Sequence, residues 1–214
     1  MSGRVSIIGL GAGGHAKAIL EIVRAGAEYE CVGLLDADAR RHGQEVHGVE
    51  VLGGDALLAA MHARGIRHAF IGVGGIGDNR ARRACFERAR AAGLAVATLV
   101  HPRAIVSPSA RLGAGTVILP GAIVHTDAVI GENVIVNTGA IVEHDCAIGD
   151  HVHIATGARL ASTVRVSALA HIGAGATVIQ CVRIGEGAVI GAGAVVIDDI
   201  SAGVTAVGVP AKAI

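Results

Sequence analysis

One short segment of the chain carries three ionisable side chains side by side. In VEHDCA, residues 142–147, Glu143, His144 and Asp145 stand among small and aliphatic neighbours. A histidine beside a carboxylate is a plausible general base, because the anion favours the imidazolium and raises the basicity of the ring. Acyl transfer from a thioester needs such a base, since the attacking amine or hydroxyl loses a proton. The alternative interpretation is a charged surface corner.

A glycine-rich turn near the N-terminus has the pattern of a phosphate-binding site. In GLGAGGHAKAI, Gly9, Gly11 and Gly14 fit a GxGxxG fingerprint between an apolar run and a helical pattern. Asp36 follows about where a ribose-binding acid is expected, although it is also placed simply to end a strand. Free N–H groups at a helix start suit any pyrophosphate, so both NAD and a nucleotide-linked sugar fit this turn.

A second glycine-rich loop, GVGGIGDN at 72–79, also follows an apolar run and leads into a helix that Asp78 or Asn79 would cap. The two loops are expected to open on the same carboxyl edge of a sheet, where His15 adds an imidazole donor. The arginines of this helix are interpreted as its solvated face, with a phosphate contact by Arg80 or Arg83 as the alternative; they are Arg80, Arg82, Arg83, Arg88 and Arg90. The predicted substrate-binding residues of these loops are Gly14, His15, Ala16, Asp36, Gly77, Asp78 and Asn79.

Composition and charge limit the classes of protein that fit. The chain has 18 Lys and Arg residues in total and 18 Asp and Glu residues, so its formal net charge is zero. Such a chain has no overall charge to attract nucleic acid or an anionic membrane. Four scattered cysteines without a CxxC pair indicate reduced thiols in a cytosolic protein. No apolar stretch approaches the roughly 20 residues of a membrane span. We therefore expect a cytoplasmic protein with no nucleic-acid or membrane partner.

An internal repeat defines the second half of the chain. Every sixth residue from Val106 to Val196 is aliphatic, and four residues after each comes a small or apolar residue. An α-helix cannot hold a strict period of six, whereas a parallel β-helix can. The high content of glycine, 32 of 214 residues, suits tight coils with frequent corners.

The first hundred residues alternate between strand and helix patterns. Strands are predicted near 4–9, 31–35, 68–73 and 95–100, and helices near 15–25, 55–64 and 79–92. This order predicts a small Rossmann-like βαβ domain with a parallel sheet over residues 1–100. HPRA at 101–104 is the predicted joint to a β-helix domain over 101–214.

Units such as IGENVI, IGAGAT and IGEGAV resemble those of the hexapeptide-repeat acyltransferases, whose left-handed parallel β-helix uses three units per triangular coil. Five further segments narrow this resemblance to the sialic-acid and bacillosamine-type sugar acetyltransferases. They are GAGGHAK, IGDNRAR, HPRAIVSPSA, NTGAIVEHDC and GVPAK, which together extend over nearly the whole chain.

The resemblance implies an acetyl-CoA-dependent N-acetyltransferase that acts on the 4-amino group of a nucleotide-linked amino-dideoxy sugar. It implies a homotrimer with active sites between subunits, in which His144 is the base and Asp145 raises its basicity. Asn137 and Thr138 are expected either to orient the sugar or to form a polar corner. The residues implied to bind acetyl-CoA are His153, Gly173, Ala174, Gly191, Ala192 and Lys212.

Three alternatives remain at this point. An O-acetyltransferase of a sialic-acid-like sugar would use the same base. Zinc carbonic anhydrases built on the same repeat place histidines on the β-helix, and His153 and His171, eighteen residues apart, are predicted to stack. The paired-histidine pattern with HGC is absent, so no metal is predicted. A non-catalytic, NAD-sensing protein is the third alternative.

Overall fold

The computed structural model describes residues 3–214 and divides the chain into two compact units. The first unit contains residues up to Gly74 together with Ala81–Pro102, and the second contains Gly75–Arg80 together with Arg103–Ile214. The short segment Gly75–Arg80 thus belongs with the repeats, although it lies among the first hundred residues of the chain. Within residues 3–214, no helix is long and apolar enough to cross a membrane.

The first unit is an α/β fold with a largely parallel sheet. Its strands lie in the order β3-β4-β2-β1-β5-β6, and only the β3–β4 pair is antiparallel. The elements are β1 (Val5–Leu10), α1 (Gly14–Ala25), β2 (Tyr29–Leu35), β3 (Glu45–Val46), β4 (Val49–Gly53), α2 (Leu58–Ala63), β5 (His68–Ile71), α3 (Arg80–Ala91), β6 (Ala95–Val96) and β7 (Leu99–Val100). Short 3-10 helices occupy Ala39–Arg41 and Asp55–Leu57.

Periodicity explains why these segments fold as they do. The strands β1, β2 and β5 end in buried residues, and α1 buries one apolar stripe that includes Ile19, Leu20 and Val23. The sequence analysis did not predict the β3–β4 hairpin, and the strand expected over 95–100 is split into β6 and β7. Both differences involve very short strands, in which two to five residues carry too little alternation to identify a strand.

The second unit is a left-handed parallel β-helix of two-residue strands. The register of the strands confirms the period of six, because the strands between Ile105 and Val196 pair in parallel at a separation of eighteen residues. The final pair, Val189–Ile190 with Thr205–Val207, is sixteen residues apart. Face 1 contains Val117–Ile118, Ile135–Val136, His153–Ile154, His171–Ile172, Val189–Ile190 and Thr205–Val207. Face 2 contains Ile105–Val106, Ile123–Val124, Ile141–Val142, Arg159–Leu160, Thr177–Val178 and Val195–Val196. Face 3 contains Arg111–Leu112, Val129–Ile130, Ala147–Ile148, Arg165–Val166 and Arg183–Ile184.

The predicted ladder residues form the core of this unit. From Ile118 to Val196 every member of the aliphatic series is buried, and small residues such as Ala140 and Ala158 fill the positions between them. The corners between Leu112 and Val195 are tight because one residue in each has a positive φ, for example Gly139 after face 1 and Asp145 after face 2. Cys146 lies in the same core, so its thiol is unavailable as a surface nucleophile.

Candidate active site

A groove of about 450 Å³ runs along the second unit beside face 1. Its floor consists of outward-facing residues of face 1 and of the small residues in the corner that follows this face. The lining residues are Gly75, Ile76, Gly77, Asn137, His153, Ala155, Thr156, His171, Gly173, Ala174, Val189, Ile190, Gly191 and Ala192. The structure therefore brings together five of the six residues that the resemblance implies for acetyl-CoA.

The glycines of the groove also serve the stacking of the coils. A Cβ atom added at Gly173 would lie 2.5 Å from the carbonyl oxygen of Ile190 and 2.6 Å from the amide nitrogen of Ala192. One added at Gly191 would lie 2.7 Å from Cγ1 of Val207. Since these contacts are with the next coil, packing alone requires glycine at both positions, and the shallow floor of the groove follows from it.

His153 is held by hydrogen bonds at both ring nitrogens. Its Nδ1 atom lies 2.7 Å from the carbonyl oxygen of Gly75, and its Nε2 atom lies 3.1 Å from Nδ2 of Asn137. A carbonyl only accepts, so Nδ1 carries the proton and donates it to Gly75. Nε2 is then the acceptor for the Asn137 amide, whose Oδ1 accepts from the backbone N–H of Thr138. His153 is therefore neutral and has one defined tautomer.

His171 stacks on His153, as their eighteen-residue spacing predicts. The two residues pair in register on adjacent strands, and their rings meet edge to face with centroids 5.0 Å apart. Both side chains are buried, with only 8% of each residue exposed. Burial lowers the pKa of His171 below its ordinary value, because the low-dielectric surroundings disfavour the imidazolium.

The pair His144 and Asp145 lies at the corner between faces 2 and 3. Nδ1 of His144 is 2.7 Å from Oδ2 of Asp145, and both side chains are about half exposed. Asp145 has a φ of 59°, a left-handed conformation that turns its carboxylate back onto the preceding ring. The carboxylate holds the proton on Nδ1, which leaves Nε2 as the nitrogen able to accept one. The ring of His125, on the preceding coil, lies 6.3 Å away.

The base candidate and the groove occupy different edges of the triangular prism. Asn137 and Thr138 lie at the corner that follows face 1, whereas His144 lies at the corner that follows face 2. His144 does not line the groove. One chain by itself thus does not bring His144 together with His153 and the residues predicted for acetyl-CoA.

In the first unit, the glycine-rich turn leads into α1 with open space at its start. A Cβ atom at Gly14 would meet nothing within 4 Å, and the first turn of α1 contains no acidic residue and no side-chain cap. An anion is therefore free to approach the N–H groups of this turn. Ala16 contributes only its backbone, because its side chain is buried.

Asp36 holds the glycine-rich turn before α1 in place through its carboxylate. Its Oδ2 accepts a hydrogen bond from the N–H of Ala12 at 2.7 Å, and its Oδ1 accepts one from the N–H of Asp38 at 2.9 Å. Arg41 donates to the carbonyl oxygen of Ala12 at 3.1 Å. The sequence left open whether Asp36 binds a ribose or only ends its strand. These hydrogen bonds give its carboxylate a structural role, since they shape the glycine-rich turn.

The two glycine-rich loops begin side by side, as the sequence analysis expected. A Cβ atom at Gly72 would collide with the carbonyl of Gly11, and one at Gly74 would lie 3.5 Å from Cβ of His15. Further along the second loop, Gly77 has a φ of 70° and open space around it. Asp78 is exposed and pairs with Arg80, whose guanidinium lowers the pKa of that carboxyl to about 2.

Asn79, predicted to bind substrate, is buried and hydrogen-bonded within the second unit. It is 1% exposed, and its Nδ2 donates to the carbonyl oxygens of Leu169 at 3.2 Å and Ala170 at 3.0 Å. Both of its amide protons are therefore used within the second unit. Lys212, predicted to meet a CoA phosphate, is 71% exposed and lies 4.0 Å from a carboxylate oxygen of Asp198.

Arg82 was interpreted as part of a solvated face, and this interpretation is wrong. The residue is 1% exposed, and its Nη1 donates to the carbonyl oxygens of Ile71 and Val73, each at 2.8 Å. Burial lowers the pKa of its guanidinium to about 9. A sequence signal for burial was present, since Arg82 shares a helical face with the buried residues Cys85, Phe86 and Ala89.

Across residues 3–214, no group of three or more His, Cys, Asp or Glu side chains is arranged to hold a metal ion. His153 and His171 form a pair, but the Nδ1 atom of His153 donates to the carbonyl of Gly75. The pair is therefore organised by hydrogen bonding and ring stacking within the groove.

Comparison with protein families gives two matches. The family described as the PglD N-terminal domain matches residues 6–89, and the bacterial transferase hexapeptide family, six repeats, matches residues 127–162. The two matches fall on the α/β unit and on the coils that carry His144 and His153. A comparison with functionally curated proteins gives no significant match.

Solved structures similar to this chain include two acetyltransferases. The GDP-perosamine N-acetyltransferase of Caulobacter crescentus, in complex with CoA and GDP-perosamine, is 39% identical with a TM-score of 0.91, and the match covers 98% of this chain and 96% of that one. The acetyltransferase domain of PglB from Neisseria gonorrhoeae is 38% identical with a TM-score of 0.89, covering 99% and 100%. That domain was also solved with acetyl coenzyme A.

These similarities extend over both units and over the full length of the relatives. WeeI from Acinetobacter baumannii, 24% identical with a TM-score of 0.77, shares the fold. With its PglD-type α/β unit, its hexapeptide β-helix and its likeness to a GDP-perosamine N-acetyltransferase and to the acetyltransferase domain of PglB, the chain belongs to the bacillosamine-type family of acetyl-CoA-dependent nucleotide-sugar acyltransferases.

Proposed function

We propose that this protein transfers an acetyl group from acetyl-CoA to the 4-amino group of a nucleotide-linked amino-dideoxy sugar, with His144 as general base. The observation that carries the proposal is the hydrogen bond between His144 and Asp145, 2.7 Å long, which leaves Nε2 available to accept a proton. A solved relative with 39% identity that binds CoA and GDP-perosamine supports the same class of substrates.

The groove beside face 1 suits the pantetheine arm of acetyl-CoA. Its wall is mainly aliphatic and small, with Ala155, Gly173 and Val189 along the floor. Such a surface allows a narrow, flexible chain to lie close to the backbone. His153 and Asn137 form a hydrogen-bonded polar pair beside these residues, against which the thioester is proposed to lie.

A second copy of the chain is needed to complete this site. His144 and the groove occupy different corners of one prism, so a base and a thioester meet only where the corner of one subunit faces the groove of another. The triangular cross-section favours a closed ring of three subunits with three equivalent sites. We therefore propose a homotrimer with each active site between two subunits.

The α/β unit is proposed to bind the nucleotide diphosphate. The uncapped start of α1 offers N–H groups and the positive end of the helix dipole to the phosphates. His15 is the side chain of this unit that is proposed to contact the substrate. Gly77 and Asp78, which belong to the second unit, remain predicted substrate-binding residues.

The proposed reaction is a direct transfer. The neutral 4-amino nitrogen attacks the thioester carbon, and Nε2 of His144 takes a proton from that nitrogen. The carbon–sulfur bond then breaks, and the thiolate of CoA takes the proton from the imidazolium. The products are an N-acetyl sugar and CoA, and the base is returned to its starting state. Asp145 stabilises the imidazolium while it carries the proton.

A thiol-release assay tests this function. Acetyl-CoA is offered with a panel of 4-amino-4,6-dideoxy sugars linked to UDP, GDP, dTDP or CMP, and with the matching 4-hydroxy sugars and a free sialic acid. Release of CoA with an amino sugar supports the proposal and identifies the nucleotide. Release only with a hydroxy sugar or the sialic acid replaces it with O-acetylation. Tight NAD binding by calorimetry without any release contradicts it.

A further inference from the structure

The loop Gly75–Arg80 is fastened to the β-helix by one buried side chain. Asn79 gives both of its amide protons to backbone carbonyls of a single corner, those of Leu169 and Ala170. The contact joins residues 90 and 91 positions apart, all within the second unit. Next to it, Arg80 bonds only to Asp78 in the same loop, so it adds no anchor to the coils among the described contacts.

The same loop supplies the backbone carbonyl that determines the tautomer of His153. Gly75 accepts the Nδ1–H of His153 at 2.7 Å, and this bond makes Nε2 the acceptor for the amide of Asn137. If the carbonyl moved away, the imidazole would be able to take its other tautomer, in which Nε2 carries the proton and no longer accepts from Asn137. The position of Gly75 therefore controls which polar group the groove presents.

We propose that Asn79 is a positioning residue: by anchoring the loop at Leu169 and Ala170 it holds the Gly75 carbonyl on His153 and so fixes the Nδ1–H tautomer of that ring beside the acetyl-CoA groove. The kinetic part of this inference rests on the proposed function, whereas the tautomer does not. It replaces the role of substrate ligand that the sequence predicted for Asn79.

Close packing between Gly75 and Asn79 gives a second way to disturb the anchor. A Cβ atom at Gly75 would collide with Oδ1 of Asn79 and lie 3.1 Å from its Cγ. Gly75 does not have a positive φ, so alanine is compatible with its backbone. The variant Gly75→Ala therefore displaces the Asn79 amide without changing Asn79 itself.

Steady-state kinetics test the inference with Asn79→Ala, Gly75→Ala and the double variant. Because His153 would lose its fixed orientation, kcat/KM for acetyl-CoA is expected to fall about tenfold in each single variant. The double variant is expected to be no worse than Asn79→Ala, since both changes break one contact. The KM for the nucleotide sugar is expected to stay within about twofold. A rise in that KM with acetyl-CoA kinetics unchanged would make Asn79 a substrate ligand and overturn the inference.

Thr116→Val is the matched control. Thr116 is a fully buried side chain that also fastens one coil to another, through the carbonyl of Gly131 and the N–H of Val134, and it does not line the groove. This variant is expected to lose stability and keep its acetyl-CoA kinetics. An equal loss of kcat/KM in Thr116→Val would show that any loosening of the coils has this effect, which would contradict a specific role for Asn79.

Nuclear magnetic resonance of ¹⁵N-histidine-labelled protein without substrates gives an independent readout. The His153 signals, assigned by their loss in His153→Gln, are expected to show a protonated Nδ1 and an unprotonated Nε2 in the wild type. In Asn79→Ala the two tautomers are expected to exchange. An unchanged tautomer in this variant overturns the inference. Because no acceptor sugar is involved, this result stands even if the thiol-release panel shows no activity.

Discussion

Nδ1 of His144 and Oδ2 of Asp145 are 2.7 Å apart, although the two residues are neighbours in the chain. Adjacent side chains on a strand point to opposite faces, so such a contact requires a sharp turn between them. The turn is the left-handed φ of Asp145 at the corner after face 2. The fold thus uses a corner of its coil to place a carboxylate on Nδ1, opposite the nitrogen that is proposed to accept the proton.

Replacing the base tests the proposed reaction directly. His144→Ala is expected to lower kcat by about 10² to 10⁴, the range typical of a lost general base. Binding of the nucleotide sugar, measured by calorimetry, is expected to be unchanged. His125→Ala is the control, because His125 is exposed on the preceding coil with its ring 6.3 Å from that of His144. Wild-type turnover in His144→Ala would exclude this residue as the base.

The charge of Asp145 is expected to matter separately from its hydrogen bond. Asp145→Asn keeps an oxygen for Nδ1 and a residue type that tolerates a positive φ, but it removes the anion that stabilises the imidazolium. We expect kcat to fall about tenfold with little change in either KM. Asp127→Asn is a matched control, since Asp127 also has a left-handed φ at the corresponding corner one coil earlier. An equal fall in kcat in Asp127→Asn would mean that the effect comes from changing a left-handed corner residue and not from the charge beside His144.

Mixed oligomers test whether each active site lies between subunits. His144→Ala supplies an intact groove without a base, and His153→Ala supplies a base with a damaged groove. If the two variants are refolded together in equal amounts, about a quarter of the sites in a ring are expected to combine an intact base with an intact groove. Activity should therefore return to about a quarter of the wild-type level. Mixtures as inactive as their parents would place the whole site within one chain.

Arg82 is expected to be important for stability. Arg82→Met keeps an apolar stem of similar length but leaves the carbonyls of Ile71 and Val73 without this donor. Burying unsatisfied carbonyls costs about 1 to 3 kcal/mol, so the free energy of unfolding in urea is expected to fall by about 2 kcal/mol. Arg83→Met, on the exposed face of α3, is expected to change it by less than about 0.5 kcal/mol. Equal stability of both variants would contradict a structural role for Arg82.

His171 is expected to make the protein sensitive to acid. Its pKa is lowered in the folded state, so below the ordinary value of 6.5 the unfolded chain binds more protons, and stability falls as the pH falls toward the folded-state value. His171→Phe retains an aromatic ring against His153 and cannot take up a proton. The loss in melting temperature between pH 7 and pH 5 should therefore be smaller than in the wild type, whereas His125→Gln should leave it unchanged. An identical pH dependence in His171→Phe would contradict this assignment.

The parts of the site that follow from repetition could be predicted from the sequence. A period of six fixes which residues face inward, and a spacing of eighteen places His171 on His153. Those relationships depend only on counting along a regular coil. The α/β order of the first unit followed in the same way from alternating patterns, apart from the short β3–β4 hairpin.

The buried contacts of Asn79 and Arg82 were not predicted from the sequence, because the partners of Asn79 are distant in the chain and the burial of Arg82 is hidden by composition. Asn79 was assigned by its place in a glycine-rich loop, but its contacts are with Leu169 and Ala170 on the β-helix. Arg82 was grouped with four other arginines of the same helix, although its neighbours on the apolar face indicated burial. A local pattern cannot identify such contacts, because they depend on which coil the loop packs against.

The uniform coil also limits how this gene can change. Between Ile105 and Val196 each strand has two residues and each corner four, so a given position on one face recurs only after eighteen residues, in the next coil. Loss or gain of a single amino acid before residue 153 would move every later side chain by one position and turn the aliphatic ladder outward. Insertions and deletions in this region are therefore tolerated either as whole coils or as bulges confined to a corner, and substitution is the main route by which groove and acceptor preference can diverge.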